Sequence, residues 1–179
     1  LAKIWPKGTI HAFEPNPSTY SMLVKQVQDI ANIITYNVAL GDKIGMVDFY
    51  VCRHPYLPLE EDTADPSSIF PPIRDKMPNV RFDEVIQVPM LTLDHWAEMF
   101  GVDHVDFMWL DMQGAEGIVL QACPNIFSTA RVIQTEVFRE PFYENTMLLP
   151  DLDHFFYING FVPIYQNVGR AGDVIYRRD

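Results

Sequence analysis

Residues 9–37 read TIHAFEPNPSTYSMLVKQVQDIANIITYN, and three elements follow from them in turn. Thr9-Ile-His-Ala-Phe13 is a short β-type run that Glu14-Pro-Asn-Pro17 brings to a stop, because proline cannot donate to a strand ladder. Asn16 makes a good N-cap, and Pro17 suits the first helical position, where an amide N–H would have no partner anyway. Tyr20, Leu23, Val24, Val27, Ile30 and Ala31 then recur at spacings of three and four, the apolar stripe of an amphipathic helix. Ile33-Ile-Thr-Tyr-Asn37 returns as a strand. Two strands joined through a helix make a βαβ unit, with parallel strands and a right-handed crossover.

The rest of the chain alternates in the same way. Gly41-Asp-Lys43 turns into Met46-Val-Asp-Phe-Tyr-Val51, expected as an antiparallel ribbon or edge strand. Between residues 54 and 81 the apolar periodicity collapses and prolines gather, so 54–84 is expected as an irregular loop and a candidate lid. Val85-Ile-Gln-Val88 resumes as a strand, and Leu93, Trp96, Ala97 and Phe100 form a short helix closed by Gly101, with Trp96 in the core. Val105-Asp-Phe-Met-Trp-Leu110 is apolar at most positions, as in a strand buried on both faces. A helix over 115–122, a strand over 132–137 and a helix over 149–159 ended by Gly160 follow. Residues 161–165 and 173–176 read as a closing hairpin, with Pro163 near an edge. The expectation is one domain over 1–179: an α/β doubly wound sheet, mostly parallel, with an antiparallel end.

Composition narrows the function. The 179 residues are 48% hydrophobic, enough to bury a real core in one compact domain. Thirteen Lys and Arg stand against 24 Asp and Glu, a net charge of −11, so no basic face exists to grip phosphate backbones. Nucleic acid and anionic membrane surfaces are therefore not expected as partners. Cys52 and Cys123 lie in unrelated segments, too few for a disulfide scaffold or a structural zinc site, and a reducing cytoplasm is the default location. No apolar run reaches the length of a membrane span, and the first residues carry neither an initiator Met nor a signal peptide's apolar region.

Ligands of such sheets bind beyond the carboxyl ends of the parallel strands. Three acids fall there: Glu14, Asp111 and Glu136. Glu14 suits the acid that accepts ribose hydroxyls, and equally suits a solvated carboxylate near a helix N-terminus. Asp111-Met-Gln-Gly-Ala-Glu116 puts two carboxylates around a strand–helix corner, where Gly114 permits close backbone approach. The same spacing also describes a helix start with Asp111 as cap and Glu116 in the first turn. His95, after Asp94, is a second candidate base or a capping histidine; His54 could reach an acceptor from the loop. Phe142-Tyr143 follows the 132–137 strand and could stack on an acceptor. No His-x-His or His/Glu pair has metal-ligand spacing, so no metal site is expected, although Asp111 with other acids could hold Mg²⁺ weakly.

Five stretches in register then carry a resemblance: Phe13-Glu-Pro-Asn-Pro17, Asn37-Val-Ala-Leu-Gly-Asp42, Ser67-Ser-Ile69, Leu91-Thr-Leu-Asp94 and Val105-Asp-Phe-Met-Trp-Leu-Asp-Met-Gln-Gly-Ala-Glu116. Together they resemble the FkbM family of S-adenosylmethionine-dependent methyltransferases over about residues 9–137. The resemblance implies a Rossmann-like class I methyltransferase sheet and methyl transfer to a hydroxyl of a sugar or natural product. It implies cofactor binding by Glu14, Pro15, Asn16, Ala39, Leu40, Asp42 and Asp111, with Asp111 also the first candidate base. Glu116 and Glu136 match family positions on the acceptor side, joined there by Tyr143. Trp109 departs from the pattern, because that position is usually basic.

The resemblance further implies a Gly-rich cofactor loop after a first, central strand, upstream of Thr9. Only eight residues precede Thr9, and Gly8 is their one glycine. The expectation is an N-terminally truncated domain whose sheet lacks its middle strand. Two other readings stay open: a non-catalytic Rossmann-like remnant serving as an interaction module, and an NAD-dependent oxidoreductase, since Glu14 would suit that ribose too. An acidic chain disfavours anionic acceptors, which leaves neutral hydroxyls.

Overall fold

In the computed structural model, β1 (Ile10–Phe13) and β2 (Ile33–Tyr36) pair in parallel, with Ile10 opposite Ile33, and α1 (Pro17–Val27) joins them. The structure describes residues 1–53 and 66–179. Asn16 caps α1 as its sequence position requires: its side-chain oxygen accepts the Ser18 N–H at 3.0 Å. No residue of α1 is fully buried, because only a two-stranded ribbon lies beneath its apolar stripe.

β3 (Ala39–Leu40), β4 (Gly45–Arg53) and β5 (Arg81–Leu91) form a second sheet in the order β3-β5-β4. β3 runs parallel to β5, and β4 antiparallel. The irregular stretch expected to reach residue 84 therefore ends at residue 80. Phe82, Val88 and Met90 turn inward at even spacing, and this period of two carries the strand through Asp83-Glu84, which interrupt the apolar run. The first part of that stretch, His54 included, lies outside the described residues. Its second part is tied down by single bridges, Ser68 to Tyr50 and Pro72 to Tyr143.

The largest sheet has the order β6-β7-β9-β8, from β6 (Phe107–Leu110), β7 (Val132–Phe138), β8 (Phe161–Val168) and β9 (Ala171–Arg178). β6 and β7 are parallel; the other pairs are antiparallel, and Pro163 sits on the edge strand β8 beside an irregularity. Packed around it are α2 (Leu93–Phe100), α3 (Glu116–Gln121), α4 (Pro124–Phe127) and α5 (Leu149–Ile158). α2 starts at Thr92, whose hydroxyl accepts the His95 N–H, and stops at Gly101 with φ +65°. The main core gathers Trp96, Leu120, Ile133, Leu152, Phe156 and Tyr176, each worth about 1.5–3 kcal/mol on burial. Among the described residues no helix is long and apolar enough to cross a membrane.

Among the described residues the fold is thus α/β with parallel and antiparallel strands, in three hydrogen-bonded sets. Among the described residues β1 pairs only with β2 and β6 only with β7, and their unpaired edges look into a shared cleft. This corrects the reading of β6 as buried on both faces. Met108 and Leu110 are buried, but Trp109, which alternates to the other face of the strand, is 54% exposed.

Candidate active site

The cleft between β1 and β6 has a volume of ≈ 1690 Å³ and is bounded by both strands, the turns that follow them, β3 and the first residues of the chain. Two acids stand at the strand ends that open into it, Glu14 after β1 and Asp111 after β6.

The turn after β1 is tightly specified. The Glu14 N–H extends the ladder to the Tyr36 carbonyl at 3.0 Å, and Glu14 Oε1 accepts the Asn16 N–H at 2.7 Å. Asn37 Nδ2 donates to the carbonyls of Glu14 and Pro15, so the second strand of the unit clamps the turn that ends the first. Burial lifts the Glu14 carboxyl above its usual range, and the Asn16 N–H opposes that rise. Pro15 and Asn16 line the cleft beside it, and Ala39 and Leu40 form an adjacent apolar wall. Asp42 does not belong there. It is exposed in the turn after β3, outside the cleft lining.

At the corner after β6 the two carboxylates separate into different roles. The N-cap of α3 is Ala115, so Asp111 is not a helix cap; it is an exposed carboxylate on the cleft. Glu116 is 2% exposed, and its Oε1 accepts the Met112 N–H at 2.6 Å. Burial pushes the Glu116 carboxyl up to about 7, against the pull of backbone N–H groups in the corner. Its expected place beside an acceptor is therefore corrected: Glu116 holds the corner from inside. Gly114 takes φ +97°, and a Cβ there would stand 2.5 Å from Thr146 Oγ1, so only glycine closes this turn.

Glu136 is half-buried on β7, outside the cleft lining. Desolvation pushes its carboxyl up to about 9, helped by the negative charges of Asp111, Glu116 and Asp173, and its Oε2 is buried without a hydrogen bond. Tyr143, expected against an acceptor, is 1% exposed and donates its hydroxyl to the Pro66 carbonyl at 2.7 Å and to Gln113 Oε1 at 3.0 Å. Its ring is a buried brace between the loop and the corner. His95 lies on the first turn of α2, away from the cleft lining. Among the described residues no group of three or more His, Cys, Asp or Glu could hold a metal ion.

Two members of the site escaped the sequence. Ser68 is 1% exposed, and its Oγ donates to the Gln113 carbonyl at 2.8 Å. Gln113 links that serine to Tyr143 and to Asp111. Both lie inside the stretches that carry the resemblance, but polar residues in a loop and a turn give no sign of burial.

An α/β domain with an acid closing each of two parallel strands over one cleft is a frame for a nucleotide-like ligand and an acceptor. The FkbM methyltransferase domain matches residues 1–163, and the chain belongs to that family. A curated relative, the 2-O-methyltransferase NoeI of Sinorhizobium fredii, is 29% identical over 146 residues, which span 80% of this chain and 59% of that protein. No solved structure matches the chain.

Proposed function

We propose that this domain is a Rossmann-like S-adenosylmethionine-dependent methyltransferase that O-methylates a neutral hydroxyl on a sugar or natural product. The observation that carries the reading is the placement of Glu14 and Asp111 at the carboxyl ends of two parallel strands on one cleft. The residues around Glu14 fit a nucleoside: a carboxylate for the two ribose hydroxyls, a clamped Pro15-Asn16 turn, and Ala39 with Leu40 as an apolar wall along a base. The cofactor supplies an electrophilic methyl group when bound.

Asp111 does the work on the acceptor. Exposed on the cleft, it accepts the proton that a hydroxyl oxygen loses as it attacks, a contribution of about 10²–10⁴-fold. Holding the acceptor oxygen in line contributes several kcal/mol more, on the order of the entropy of bringing two reactants together. Glu136, held protonated at neutral pH by its burial, sets no second negative charge against Asp111 from β7.

Calorimetric titration with S-adenosylhomocysteine should give about micromolar affinity, lost in Glu14→Ala. A folded chain that gives no heat refutes the cofactor assignment. With radiolabelled S-adenosylmethionine and a panel of methyl hexopyranosides, Asp111→Asn should lose about 10²–10⁴-fold in rate while cofactor affinity is kept. An unimpaired Asp111→Asn enzyme would remove Asp111 as the base.

A further inference from the structure

Asp111 Oδ1 accepts a hydrogen bond from Gln113 Nε2 at 2.7 Å. Gln113 makes that bond from an unusual backbone position, φ +54°, in the left-handed region that non-glycine residues seldom occupy. A residue persists there only when its surroundings over-determine it. Two contacts do so. Its carbonyl accepts Ser68 Oγ, its Oε1 accepts the Tyr143 hydroxyl, and both partners are 1% exposed. Ser68 is anchored in turn, its Oγ accepting the Phe70 N–H at 3.0 Å and its backbone bridged to Tyr50. Tyr143 shares its proton with the Pro66 carbonyl and packs among Cys52, Phe82 and Phe138.

An amide has a donor end and an acceptor end, and here each has one partner of the matching kind. With Oε1 turned to the Tyr143 hydroxyl, Nε2 must face Asp111. Reversing the amide would let Nε2 donate to the Tyr143 oxygen, whose proton would rest on the Pro66 carbonyl, but it would set the amide oxygen against the Asp111 carboxylate and lose that bond. The orientation of an exposed carboxylate is thus set by groups that are themselves buried.

We infer that Gln113 is a positioning residue for Asp111, fixing the plane of its carboxyl group through a brace that runs from Ser68 and Tyr143. The inference rests on the reading of Asp111 as the proton acceptor only for its effect on rate; the brace itself is a property of the corner. Glutamine is suited to the task by length and by charge. Asparagine tolerates the left-handed backbone better but stops one methylene short, and glutamate would set a second negative charge against Asp111.

The test follows Asp111 by NMR in the full chain labelled with aspartate ¹³C at the carboxyl carbon, its resonance assigned by its loss in Asp111→Asn. A donor to the charged form favours that form, so removing it in Gln113→Leu should raise the Asp111 titration midpoint by about half a pH unit. Gln113→Asn should give the same direction of shift and guards against a leucine variant that fails to fold. Tyr143→Phe should give a smaller rise, because the amide keeps its reach but loses its anchor. In the methyl hexopyranoside assay, Gln113→Leu should lower kcat about tenfold with the acceptor KM unchanged, as for an effect on transition-state alignment alone. An Asp111 midpoint that stays put in both Gln113 variants overturns the inference, whatever the activity. A wild-type chain that methylates nothing in the panel fails the proposed function instead, and the titration still decides the brace.

Discussion

Replacing Glu136 with Gln should stabilise the protein, and the gain should grow with pH. Burial raises the Glu136 carboxyl from 4.5 to about 9, so across that window the folded chain holds a proton that the unfolded chain has released. Stability drawn from this group is therefore complete below about pH 4.5 and is lost as pH rises towards about 9. At about 1.4 kcal/mol per unit, the whole window has a ceiling of about 6 kcal/mol. Glu136 is only half-buried, so water reaches part of its charge, and about 2 kcal/mol near pH 8 is the realistic share. Glutamine keeps the shape and cannot ionise. Urea unfolding followed by tryptophan fluorescence at about pH 5, 6.5 and 8 should show Glu136→Gln within about 0.5 kcal/mol of wild type at the lowest pH and about 2 kcal/mol more stable at the highest. Glu116 and Asp111 interact with Glu136, so the difference between the curves reports Glu136 together with its coupling to them. Parallel curves, or a glutamine variant weaker at high pH, would refute the assignment of a desolvated, proton-holding carboxyl.

Two further outcomes concern packing. Trp96, 1% exposed among His11, Phe13, Tyr36 and Phe100, should cost about 3–5 kcal/mol on truncation to Ala, read by the same unfolding assay. Its Nε1 is buried without a partner, so Trp96→Phe should lose far less than that, despite removing a donor. Gly114→Ala should destabilise by about 2 kcal/mol or more, since φ +97° and Thr146 both oppose a Cβ; adding Thr146→Ala should recover the contact and not the backbone strain.

What the sequence disclosed was the local part of the fold. Asn16 before Pro17, and Gly101 and Gly160 after their helices, act within one turn of chain, and each does in the structure what its neighbours require. β5 was half hidden because Asp83, Glu84 and Pro89 interrupt an apolar run whose inward positions are still every second residue. The pairings of β3 with β5 and of β7 with β9 join partners far apart in the chain, and no spacing announces them. The site was legible in the same measure. Glu14 and Asp111 could be placed by strand ends alone, whereas Glu116 and Asp111 could not be told apart until burial separated them. Tyr143, just after the 132–137 strand, looked available to an acceptor, and its burial with the contacts to Pro66 and Gln113 shows it braced inside instead.

The edges of β1 and β6 that face one another share no ladder hydrogen bond. Among the contacts that join the two sides are aromatic rings: Trp96 of α2 meets His11, Phe13 and Tyr36 of the first ribbon edge to face, and Trp5 lies against Phe107 of β6. Hydrogen-bonded ladders break in discrete steps, but dispersion contacts between rings weaken gradually as surfaces slide. Truncating Trp96 should therefore loosen the first ribbon from the rest of the domain while leaving every strand pair on either side whole.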